Sequence, residues 1–180
     1  MEKVRRAIST ALIFQGVAAI IVTILGLSLS RWMLTLLNTP PEVFEDSATY
    51  MRIFFSGLLA MFAYNAFSGI LRSLGDSKTP LYFLIVSTFV NIGLDILFVA
   101  QFGWGVAGVA WATIIAQSTS AILCVIYIYL KVPLLALKPK DFIFDKSLFI
   151  TMIKLGIPSS IQQTLASTGM IAVQGLVNSF

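Results

Sequence analysis

The chain has 180 residues, of which 58% are apolar and 11% charged, with a mean hydropathy of +0.92. A soluble core of this length cannot hide that much apolar surface, so the composition describes a membrane protein. There is no histidine, which excludes imidazole chemistry and His-bearing metal sites, and a single cysteine, Cys124, which excludes an intrachain disulfide and reads as packing.

In chain order, apolar segments fall at roughly 10–37, 50–71, 80–101 and 106–130, with a fifth beginning near 147. A bilayer core needs about 20 apolar residues per helix, and no period-2 alternation marks barrel strands, so each segment reads as a transmembrane helix. The opening "MEKVRRAIST" leads into a full-length span without a small-residue cleavage site, so no signal peptide is expected. Lys3, Arg5 and Arg6 precede the first span; the next loop holds Glu42, Glu45 and Asp46 and no base. Arg72 and Lys78 mark the following loop, "QFGWG" has no charge, and the last loop carries Lys131, Lys138, Lys140 and Lys146, with Lys154 just inside the next helix. Ten of the twelve bases thus lie on one alternate side, all but Arg31 and Arg52, which predicts a cytoplasmic N-terminus. Bases confined to short loops, rather than one stripe, argue against a nucleic-acid partner.

The punctuation agrees with these spans. Pro40 and Pro41 stop the first hairpin, Thr79 can cap the third span ahead of Pro80, and Gly103 and Gly105 make a tight turn around Trp104. Gly108 and Ala112 form a small-xxx-small pair suited to close helix approach.

Polar residues inside the spans carry the functional signal. Of eight acids, only Asp95 in "VNIGLDILFV" lies deep within a span, where a carboxylate costs about 3 kcal/mol on insertion scales. Asn91 precedes it by four residues and shares its helix face. At about 1.5 Å per residue, Asp95 lies roughly 10 Å and Thr113 roughly 12 Å from the same tight turn, so an amide, a carboxylate and a hydroxyl can meet between antiparallel neighbours. Gln117 extends that face by one turn. Asn91 or Thr113 alone could serve only to join helices. Asp95 could carry a proton with a raised pKa, or ligate sodium beside neutral oxygens, and these residues do not choose between the two. In the fifth span Pro158 is a hinge candidate, with Ser159 and Ser160 available to bond freed carbonyls. Gln162 nearby, and Asn65 in the second span, are candidate cavity residues.

"LLNTPPEV" (36–43), "GILRSLGDSKTPL" (69–81), "VNIGLDILFV" (90–99), "GWGVAGVAWATIIAQ" (103–117) and "KLGIPSSIQQTLASTGMIAVQGLVNSF" (154–180) resemble the multidrug and toxic compound extrusion (MATE) family. The resemblance implies an all-α polytopic transmembrane bundle of about five helices, part of a twelve-helix, two-lobe transporter. Residues 1–140 would belong to the amino-terminal lobe, as its helices three to six, and 141–180 would hold the linker and first helix of the second lobe. The implied activity is exchange of organic, often cationic, compounds for Na+ or H+ across the plasma (inner) membrane, with no cofactor beyond the coupling ion. The implied partners are the bilayer, drug-like substrates and the missing helices of the same transporter. Asn91, Asp95 and Thr113 match ion-site positions of the branch related to DNA-damage-inducible protein F, whose second aspartate, on helix one, this chain lacks. "QQTLAS" holds no counterpart of the helix-seven glutamate of the norfloxacin-pump branch. A lipid-linked oligosaccharide flippase of the same superfamily would line its cavity with bases, and none of the twelve is deep in a span. An intramembrane enzyme would need more than one lone carboxylate. A fragment inactive without the rest of the transporter is the remaining alternative.

Overall fold

A computed structural model describes residues 2–132 and 142–177. Its elements are α1 (Glu2–Leu36), α2 (Pro41–Ser56), α3 (Leu58–Ser73), α4 (Lys78–Asp95), a π-helical segment (Ile96–Gln101), α5 (Gly105–Lys131) and α6 (Lys146–Val177). The end carrying Arg5, Lys78 and Lys131 is termed the basic end, and the opposite one the acidic end. Lys138 and Lys140, which contribute to the basic loop, lie outside the described residues.

The helices form a bent row. α6 packs on α1, α1 on α2 and α3, these two on α5, and α5 on α4 and the π segment; α3 also touches α4. Small residues make this approach possible: Ala19, Ala48, Ala66, Ala110, Ala112, Ala116 and Ala121 are buried, while Ile20, Ile24, Leu81, Phe89, Ile122 and Ile126 face outward. Lipid tails are as apolar as leucine, so close packing and hydrogen bonds, rather than water exclusion, hold such helices together. Gly108 shows the tolerance: a Cβ there would lie 3.0 Å from Cβ of Phe98 on the π segment and 3.2 Å from Cβ of Trp104.

Three features depart from the expected elements. The loop "NTPPEVFEDS" is largely helical, because Pro41 sits at the first helical position and Glu42 lies in the first turn, where negative charge suits the dipole. The second span is not one helix over 50–71 but two, α2 and α3, meeting at Gly57 with a 44° bend. The fifth segment is helical from Lys146, yet among the described residues α1, α4 with the π segment, α5 and the bent α2–α3 pair are the candidates long and apolar enough to cross a bilayer. In α6, Pro158, Ser159, Ser160, Gln162 and Gln163 dilute the apolar character. Helix α6 continues through Pro158, and Ser159 Oγ donates to the Leu155 carbonyl at 3.0 Å, one position past the Lys154 carbonyl that proline leaves free.

The turns follow from their residues. Asn38 ends α1 with φ +51°, and Gly103 and Gly105 take φ +67° and +54° around Trp104, values a side chain resists. At the acidic end, Arg31 of α1 donates to both carboxylate oxygens of Glu45 in α2, 3.3 Å to Oε2, and its guanidinium lies 5.5 Å from the Phe44 ring centroid. That pairing accounts for a base on the acidic side of the charge pattern.

At the basic end, Ser9 and Thr10 of α1 are fully buried. Ser9 Oγ accepts from the Ile143 N–H at 2.8 Å and donates to the Ile143 carbonyl at 3.0 Å; Thr10 Oγ1 accepts from the Asp145 N–H at 3.0 Å. Asp145 Oδ1 in turn accepts from the Ser147 and Leu148 N–H groups, capping α6. Rings of Phe14, Phe149 and Phe144 pack in tilted pairs beside this seam, with centroids 5.2 and 5.3 Å apart.

Candidate functional site

The α4–α5 seam divides into two parts. Toward the basic end, Leu71, Cys124 and Ile128 form a buried cluster packed by Tyr64, Phe83 and Tyr127. Tyr64 Oη donates to the Pro80 carbonyl at 3.2 Å and Ser120 Oγ to the Phe83 carbonyl at 3.3 Å, so polar atoms here join helices. The cap of α4 belongs to this end. Asp76 Oδ1, rather than the Thr79 hydroxyl, accepts from the Thr79 N–H at 3.0 Å. That bond, with others from the Thr79 and Tyr127 hydroxyls, holds the Asp76 carboxyl below its ordinary value of 3.8.

One to two turns further on, the seam opens into a small cavity of about 90 Å³ lined by Leu84, Ser87, Thr88, Asn91, Thr113, Ala116 and Gln117. Asn91, Thr113 and Gln117 therefore line one cavity, to which α4 adds Ser87 and Thr88. The hydroxyls of Ser87 and Thr88 both donate to the Leu84 carbonyl at 2.9 Å, and Thr113 Oγ1 donates to the Val109 carbonyl at 2.9 Å. Each thus spends its proton on its own helix and has only oxygen lone pairs left to offer, which suits a cation or a proton donor. The i, i+4 spacing of Ser87 and Asn91 was the available signal for the added residues, yet such hydroxyls are common in membrane helices.

Asp95 lies one turn beyond Asn91 on the same face. It is not part of the cavity lining, and it is the last residue of α4 before the π segment. Its Oδ1 and the Asn91 Nδ2 are buried without a hydrogen-bond partner, a costly state for an acid in a span. The π turn that follows is a form concentrated at functional sites. It re-aims the chain so that Phe98, Phe102 and Trp104 close the acidic end, Phe98 and Trp104 stacking at 4.9 Å. Among the described residues no three His, Cys, Asp or Glu side chains gather to hold a metal ion.

The remaining sequence candidates are not brought to this cavity. Asn65 is exposed on α3, donates to the Met61 carbonyl at 2.9 Å, and lines a groove with Gln15 of α1 instead. Gln162 is exposed on α6 beyond Pro158, and α6 packs only on α1 among the described elements, at the far end of the helix row. The α1–α3 groove opens into an apolar cleft of about 240 Å³ lined by Leu12, Leu59, Phe62 and Phe67 among others, with Phe142 at its rim.

An all-α row of long apolar helices with a polar cavity between two of them defines a polytopic membrane protein. Residues 1–97 match the MatE family. The chain is 38% identical to a probable multidrug resistance protein, YoeA, of Bacillus subtilis over 99% of its own length and 40% of that protein's. It is also 38% identical to the probable multidrug resistance protein YpnP of the same organism, over 86% of this chain and 34% of the relative. Its fold matches an inward-facing multidrug resistance MATE family transporter with a TM-score of 0.83 at 23% identity, covering 90% of this chain and 37% of that one. A MATE crystal structure in the bent conformation matches with a TM-score of 0.84, also at 23% identity, over 93% of this chain and 38% of that one. The chain belongs to the MATE family and so stands among membrane transport proteins rather than enzymes. It spans 40% and 34% of the length of the two Bacillus relatives.

Proposed function

We propose that this chain forms part of a secondary transporter that exports small organic compounds, often cationic, in exchange for Na+ or H+, with Asp95 as the coupling carboxylate. The observation that carries this reading is the buried, unpartnered Oδ1 of Asp95 next to a cavity whose hydroxyls have only lone pairs to offer. Asn91 and Thr113 would complete the cation or proton site, and Gln117 would face the same cavity. Ion occupancy would shift the balance between outward- and inward-facing arrangements, and a drug favouring the opposite arrangement would be exchanged for the ion. The fold resembles inward-facing and outward-facing MATE transporters almost equally, with TM-scores of 0.83 and 0.80, which supports movement of these helices as a unit. The basic loops support a cytoplasmic N-terminus in the plasma membrane.

Export of a lipophilic dye cation from proteoliposomes, driven by an imposed sodium or proton gradient, tests the reading. Asp95→Asn in the transporter that contains this chain is expected to abolish gradient-driven export while leaving insertion intact. Export at the parent rate would refute it.

A further inference from the structure

We infer that Gly57 is a positioning residue for the cavity between α4 and α5, acting through Ile114; the inference rests on the reading of Asp95 given above. Gly57 is buried at the break between α2 and α3. Its φ of −89° is open to any residue, so backbone conformation does not demand glycine there. Space does. A Cβ at residue 57 would collide with Cγ1 of Ile114 and lie 2.6 Å from Cδ1 and 3.0 Å from Cγ2. All three outer carbons of one isoleucine therefore fill the notch that the missing side chain leaves. Ile114 is β-branched and held to one preferred χ1 rotamer in a helix, so it cannot swing clear without moving α5.

Ile114 directly follows Thr113 and precedes Gln117 by three residues, so its seat fixes the height and rotation with which α5 presents both to Asn91. The other side of the break is braced in the same manner. A Cβ at Gly26 of α1 would collide with the ring of Phe55, two residues before Gly57. The bent span is thereby wedged between α1 and α5, and both helices α2 and α3 pack on α5 around the notch. A site whose donors must sit within about 0.5 Å of their working positions depends on such supports.

The test uses the 180-residue chain in nanodiscs. Fluorescence of Trp104 and Trp111, in a Trp32→Phe background, is followed while NaCl replaces choline chloride, and separately across pH. The parent is expected to give a saturable response that Asp95→Asn removes. Gly57→Ala is expected to move the half-saturation point by roughly tenfold, and the double variant Gly57→Ala/Ile114→Ala to return it to within about twofold of the parent, since the added methyl then enters the emptied space. A merely structural role would lower the melting temperature without moving that point. Should Gly57→Ala fail to insert, Ile114→Ala alone, which empties the notch, is expected to move the point by several-fold. An unchanged midpoint in whichever single variants insert, or a double variant no closer to the parent than Gly57→Ala, overturns the positioning role while leaving Asp95 as the coupling acid. A saturable response that persists in Asp95→Asn overturns both.

Discussion

In the basic-end half of the α4–α5 seam, Ser120 and Tyr64 hand their protons across to neighbouring helices, at Phe83 and Pro80, around the buried trio Leu71, Cys124 and Ile128. In the other half, Ser87, Thr88 and Thr113 turn their protons back on their own helices, and Asn91 and Asp95 keep buried atoms unpaired. The same residue types thus tie one half together and hold the other half open. The difference lies in geometry, not composition: a hydroxyl that reaches a neighbouring carbonyl is glue, and one that bonds backward leaves an acceptor for something else.

The largest test of this contrast is in the packed half. Leu71→Ala removes a side chain that is 1% exposed and is expected to cost 2–5 kcal/mol, about the range of buried leucine truncations, measured by thermal or denaturant unfolding in micelles. Asp95→Leu should act with the opposite sign. Replacing an unpaired buried acid with a fitted apolar group is expected to stabilise by about 1–3 kcal/mol while removing any cation response. A loss of stability there would show that Asp95 is structural after all.

Smaller effects follow at the seam's edge. Asp76→Ala deletes the cap of α4 and is expected to cost about 1 kcal/mol at neutral pH. Because folding holds the Asp76 pKa below 3.8, the charged carboxylate stabilises above that value, and its contribution is lost as pH falls through the lower, folded-state value. The stability gap between parent and variant should therefore be flat from pH 7 to about 5 and narrow below 3.8. Smallest of all, Glu45→Gln breaks the exposed pair with Arg31 and is expected to cost about 0.5 kcal/mol, less at high salt.

How much of this is legible in the sequence depends on the range of the interaction. Asp95 stands out because an acid in an apolar run is costly, and helix spacing marks Asn91, Thr113 and Gln117 nearby; that the last three line a cavity and Asp95 does not is a matter of packing. Helical character follows equally well from apolar run lengths, whereas the division of the second run into two helices does not. The break at Gly57 leaves no such mark: no proline announces it, and Ile114, whose side chain fills the space beside Gly57, is 57 residues away in the sequence. Pro158 draws the eye as a hinge by composition, whereas the bend of 44° falls at a glycine. The cap of α4 is misplaced by sequence reasoning, which takes Thr79 for the role that Asp76, three residues earlier, fills. Asn65 and Gln162 look alike in sequence to Gln117, and only the order of the helices in the row separates them.

The seam that joins Ser9 and Thr10 to Ile143 and Asp145 also bears on how the chain is made. Its partners are 134 and 135 residues apart, so Ser9 and Thr10 leave the ribosome long before the segment they bind. At about 5–20 residues per second, that interval is on the order of ten seconds. Through it, both hydroxyls stand at a bare helix edge that the finished protein covers completely. A segment made early is thus completed late, and until then a membrane chaperone or a wrong neighbour has the same two oxygens to hold.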